Sequence, residues 1–117
     1  MPSIILALMF AQVATQSELQ QKPSLQCDRG PLRKSYGGSP WVVYGCSDSM
    51  TLVVVADAGN PASPFYFVIY PKDGKYDMYG EGTGSKSASD AAFEDLKKLS
   101  PSNIVALLHE TKATAKP

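Results

Sequence analysis

The sequence has few of the residues that carry most enzymatic and metal chemistry. It has one histidine, His109, and two cysteines, Cys27 and Cys46. A zinc site or a catalytic triad needs partners at defined spacing, and neither His-Glu-x-x-His nor a Cys/His cluster occurs. His109, beside Glu110, reads as a surface or helix-end residue. There is no Cys-x-x-Cys and no obvious base beside either cysteine, which argues against a redox or nucleophilic thiol. The glycosylation motif Asn-x-Ser/Thr is absent: Asn60 precedes Pro61, and Asn103 is followed by Ile104-Val105. N-glycosylation is therefore unsupported. Neither sign of charge is in excess, with 11 basic and 11 acidic side chains and none before Glu18. The longest basic runs are the pairs Arg33-Lys34 and Lys97-Lys98, which read as a solvated edge and a helix face. A neutral domain has no long-range attraction for nucleic acid, so no nucleic-acid partner is expected.

What is present begins with an apolar run, Ile4 to Ala11, after which polarity rises at Gln16-Ser17-Glu18. The run is far short of the ~20 residues that span a bilayer and suits a signal-peptide core. Residues 1–17 are read as a signal peptide, although the start lacks Lys and Arg and no clean Ala-x-Ala closes it. The alternative is a buried N-terminal helix or strand. No cysteine stands at the expected cleavage point, so no lipid anchor and no membrane span after processing are expected. Residues 18–24 read as a flexible tether, 25–112 as a single small α+β domain, and 113–117 as a disordered tail. Export implies a periplasmic or secreted location, with the periplasm preferred. It also favours a Cys27–Cys46 disulfide, which would stabilise by about 3 kcal/mol in the chain-entropy model.

The centre of the chain reads as four strands, 41–46, 51–56, 65–70 and 75–79, rich in β-branched and aromatic residues. The lead-in before them contains Gly30-Pro31, Gly37-Gly38 and Pro40. A short strand near 25–28 or 32–36 is expected there, with 36–40 as a mobile loop. Pro71-Lys72-Asp73-Gly74 reads as a four-residue hairpin loop. Parity then puts Tyr76 and Met78 on the face of Phe67 and Ile69, and Tyr79 on the face of Tyr66 and Tyr70. Two helices should follow. The first covers 87–99, capped by Ser87, with Ala88, Ala92, Leu96 and Leu99 in a stripe beside Phe93. The second begins at Ser100-Pro101, with Ile104, Leu107, Leu108 and Thr111 inward. The fold class is α+β: an antiparallel meander of four to five strands with two C-terminal helices packed on one face. The expected core includes Val43, Leu52, Val54, Phe67, Ile69, Met78, Phe93, Leu96, Leu107 and Leu108.

Three stretches invite a chemical reading. Gly80-Glu81-Gly82-Thr83-Gly84-Ser85-Lys86-Ser87 lies between strand and helix. A phosphate loop needs Gly-Lys-Ser/Thr, and Ser85 intrudes before Lys86. The stretch therefore reads as a flexible connection, and no cofactor is expected. Asp57, Asp73, Asp77 and Glu81 offer carboxylates, but a glycosidase pair needs a cleft that a meander of this size seldom forms. Tyr44, Tyr66, Tyr70 and Tyr79 should share the outer side of the sheet, with Trp41 near one edge. Tyrosines bury much area at low entropy cost, so these five are the candidate binding residues. The plainer reading is that the segment Leu25–Ser39, acting as a flap, or a second copy partly covers this face.

The stretch from Val43-Tyr44-Gly45-Cys46 to Leu52-Val53-Val54 resembles the opening strands of small bacterial lysozyme inhibitors. A matching later cysteine is missing, and helices at the C-terminus do not fit that all-β barrel, so the family is not assigned. The functional expectation is a small exported, non-catalytic binding module, of which an inhibitor is one form. Its partner would be a protein or glycan of the envelope or medium. The alternatives are a structural, self-associating envelope protein that uses the sheet face or edge, and a small hydrolase using an aspartate or His109.

Overall fold

The computed structural model describes residues 24–114. The expected signal peptide (1–17), the expected tether up to residue 23 and the tail from residue 115 lie outside the described residues. Five strands run in sequence order through one antiparallel sheet: β1 (Arg29–Tyr36), β2 (Ser39–Gly45), β3 (Leu52–Ala56), β4 (Phe65–Lys72) and β5 (Lys75–Gly82). Two helices follow, α1 (Lys86–Leu96) and α2 (Pro101–Thr114). The α+β meander with helices on one face is the architecture of the chain. Neither helix is long and apolar enough to cross a membrane.

Two tight turns fix the register. Gly37 and Gly38 have φ of 61° and 75°, and Asp73 and Gly74 have φ of 53° and 76°. Positive φ at both central positions is the type I′ signature, whose twist matches the flanking strands. The segment 36–40 is therefore a hairpin end with Tyr36 opposite Ser39, not a loose loop. The second hairpin is two residues shorter than expected, because Pro71 and Lys72 pair with Tyr76 and Lys75 inside the ladder. Removing two residues from a loop preserves parity, so the face assignment stands.

The lead-in forms β1 and is tied down at its start. Cys27 and Cys46 are joined by a disulfide. Beside it the Ser47 N–H donates to the Gln26 carbonyl (2.6 Å). Between β2 and β3, Asp48 accepts from the Met50 and Thr51 amides (2.9 Å each) and from the Thr51 hydroxyl (2.6 Å). Partial burial pushes the Asp48 carboxyl up, but these donors outweigh it and hold it below its ordinary value.

Both helices lie over the face that carries Trp41, Val43, Leu52, Val54, Phe67 and Ile69, all buried. The Trp41 and Phe67 rings lie 5.3 Å apart, and Phe65 and Phe67 5.0 Å apart. Trp41 is thus not at an edge. Its strand is interior, it shares parity with Val43, and its indole N–H donates to the Tyr36 carbonyl (3.1 Å). Of the expected core, Leu96 and Leu107 are also buried, and Met78 and Leu108 are half-buried. Phe93 is 37% exposed. Besides Leu96, α1 sets Ala92 into the core, which lets the helix approach closely and leaves Phe93 at the margin, 6.3 Å from Phe67.

The helix boundaries lie close to those expected. α1 starts at Lys86, so Ser85 rather than Ser87 holds the cap position. α2 starts as expected, with the Ser100 hydroxyl accepting from the Asn103 backbone N–H (3.1 Å) and the Asn103 side-chain Oδ1 accepting from the Ser100 backbone N–H (3.0 Å). It continues to Thr114, past the expected end at 112. Close approach sets where the helices dock. A Cβ on Gly45 would lie 2.3 Å from the Thr111 hydroxyl, and one on Gly37 would lie 2.5 Å from the Ala92 amide. The Gly37 N–H also donates to Asp95 on α1 (2.6 Å).

Two outcomes follow from these contacts. Gly37→Ala combines backbone strain with a clash against α1 and should cost about 2–4 kcal/mol. Gly38→Ala has open space around it and should cost only about 1 kcal/mol. Urea denaturation of the two variants compares them. Asp48→Ala should lower stability by about 1–2 kcal/mol at neutral pH. A depressed carboxyl stabilises above its unfolded pKa and loses that contribution as pH falls through its folded value. The gap between wild type and variant should therefore narrow from about pH 4 downward, as read by denaturation at several pH values.

Candidate functional site on the outer sheet face

Residues directly opposite on neighbouring strands share a face. The register therefore lays out the helix-free side in rows across the sheet. One row runs Arg33, Val42, Val55, Tyr66, Glu81. The next runs Tyr44, Val53, Val68, Tyr79. A third pairs Tyr70 with Asp77. Four valines form an apolar floor, tyrosines frame it on three strands, and charges sit at the margins.

Tyr66 is 36% and Tyr79 45% exposed, while Tyr44, Tyr70 and the four valines are half-buried. The Tyr70 and Tyr79 rings meet edge to face at 5.9 Å. The Tyr66 hydroxyl donates to Glu81 (3.4 Å) and the Tyr70 hydroxyl to Asp77 (3.5 Å). These are long bonds that a ligand can replace. At the opposite margin Arg33 pairs with Asp57. The Glu81 carboxylate, with desolvation and Tyr79 adding, pushes the Tyr66 phenol above its ordinary pKa. A concavity of about 660 Å³ opens at the Tyr66 end, lined by Val53, Val55, Pro64, Tyr66 and Glu81 among others.

The structure thus brings together Tyr44, Tyr66, Tyr70 and Tyr79 and separates Trp41 from them on the other face. Cys27 and Cys46 are bonded just past the end of β2. The valine floor escaped the sequence reading. Its signal was there: Val53 and Val55 alternate with Leu52 and Val54 in a strand apolar on both sides, which means an apolar outer face as well as a core.

The other candidate chemistries are placed elsewhere. The glycine-rich stretch continues β5 to Gly82 and then packs against the β3–β4 loop. Thr83 and Ser85 amides donate to the Pro64 and Pro61 carbonyls (3.0 and 2.9 Å). A Cβ on Gly84 would meet the carbonyl oxygens of Ala62 and Ser63, and one on Gly80 the rings of Phe65 and Phe67. These glycines make room for neighbours, and the connection is packed rather than loose. Asp77 and Glu81 stand on either side of Tyr79 on an open strand. His109 is exposed on α2. Among the described residues no three of His, Cys, Asp and Glu gather where a metal ion would sit.

Glu81→Gln should lower the Tyr66 pKa toward that of free tyrosine, seen as an earlier phenolate absorbance step in alkaline titration. An unchanged step would mean that Glu81 does not act on Tyr66. No protein-family model, curated protein or solved structure matches this chain.

Proposed function

We propose that this chain is a small exported module that binds a protein or glycan of the cell envelope or medium on its outer sheet face and performs no catalysis itself. The carrying observation is the array of four tyrosines around a valine floor, left open by a fold that places both helices on the opposite side. Large exposed apolar patches with polar rims mark interaction sites. Tyrosine suits such a site because one rigid ring supplies both contact area and a hydroxyl. The disulfide is compatible with an oxidising compartment and supports export.

The test is affinity capture from envelope and culture-medium extract with the oxidised chain as bait, read by mass spectrometry. Tyr66→Ala combined with Tyr70→Ala should weaken retention of the captured species by about tenfold or more. The melting temperature should stay nearly unchanged, because neither ring is in the core. Retention that is indifferent to both tyrosines would contradict the proposal. So would their loss unfolding the protein.

A further inference from the structure

One edge of the sheet carries a second pattern, independent of the outer-face reading. β5 is an edge strand. A two-residue turn makes Lys72 and Lys75 a hydrogen-bonded pair, and such pairs alternate along an antiparallel ladder. Lys75, Asp77, Tyr79 and Glu81 therefore turn their backbone groups toward β4, while Tyr76, Met78 and Gly80 turn theirs toward the open edge. The Met78 N–H fits this assignment: it is held by the Asp77 side chain (2.8 Å). An unpaired edge is a template for strand addition. The helices also leave the inner face of β5 only partly covered. Tyr76 and Met78 are half-buried there, and with Phe93 they line a groove of about 200 Å³.

We propose that two copies of this chain pair antiparallel along β5, with Met78 opposite Met78 on the two-fold axis, to form one continuous ten-stranded sheet. The sequence of the strand selects this register. It sets Lys75 opposite Glu81 at both ends, Asp77 opposite Tyr79, and Tyr76 beside Gly80, where an aromatic ring can cover the missing side chain. A two-fold axis normal to a continuous sheet pairs residues on the same face. The neighbouring permitted registers are therefore centred on Asp77 or on Tyr79. The first sets Asp77 against Asp77, and the second sets Asp77 against Glu81. Each places like charges opposite, which disfavours the wrong pairing. In the favoured register the Met78 N–H exchanges the Asp77 carboxylate for the partner's backbone carbonyl. Closure by a two-fold axis uses up the β5 edge of both copies, so this contact ends at a dimer.

Sedimentation equilibrium of the oxidised chain over a wide concentration range should show a monomer–dimer equilibrium. Lys75→Glu places like charges opposite Glu81 twice per dimer and should weaken it by about tenfold or more. Adding Glu81→Lys to that variant restores opposite charges and should return the dimer. Both side chains are exposed, and circular dichroism checks that the fold is kept. Met78→Cys should cross-link to itself under mild oxidation, because hydrogen-bonded antiparallel pairs place Cα atoms about 5.5 Å apart, within disulfide reach. A monomer at millimolar concentration would overturn the proposal. So would a dimer indifferent to the charge reversal, or one that the double reversal fails to restore.

Discussion

The strict alternation of side chains across the sheet, held in phase by two type I′ turns, is the constraint on which the rest depends. A slip of one residue in either hairpin would exchange faces. In the first, Trp41 and Val43 would trade places with Val42 and Tyr44. In the second, Tyr76 and Met78 would trade with Asp77 and Tyr79. The core and the outer patch are two readings of the same alternation, and neither can change without the other. The turns bear this load because both central residues of each accept positive φ.

The helices convert that alternation into two unlike faces. α1 docks where Gly37 has no side chain, and α2 where Gly45 has none. Ala92 and Thr111 fill the contacts, and the aromatic cluster of Trp41, Phe65 and Phe67 fills the interior between. With both helices on one side, the valines and tyrosines of the other side have no cover among the described residues. Coverage also stops short of β5, where glycines and half-buried side chains line a thin margin. Among the described residues, the open outer face and the thinly covered margin at β5 thus follow from where two short helices can reach.

Much of this was legible in the sequence. The alternation in 65–70 gave β4 and its faces, and the β-branched run of 51–56 gave β3. Ser100-Pro101 marked the start of α2. The two cysteines beside an apolar leader pointed to their bond. β1 was harder, because Gly30-Pro31 and Gly37-Gly38 read as breakers. The first lies where the β1–β2 register shifts, and the second is the turn itself. Trp41 was misplaced by treating it as an aromatic at a strand end, when its parity with Val43 already put it in the core. Ala92 was correctly placed in the inward stripe, but Phe93 beside it was also counted in the core, and the close docking of α1 at Gly37 leaves that larger ring at the margin. Function was legible only as absences and as the tyrosine set. Recognition by an open face leaves no spaced motif of the kind that metal or nucleophilic chemistry requires.

Recognition on the outer face requires that its tyrosines be open to solvent in the folded chain. Hydroxyl-radical footprinting of the native, oxidised protein, mapped by mass spectrometry, tests it most directly. An open face should give ready oxidation of Tyr66 and Tyr79, slower oxidation of Tyr44 and Tyr70, and protection of Trp41. Tyrosines as protected as Trp41 would contradict it, because the face would then be covered and could not serve as a recognition surface.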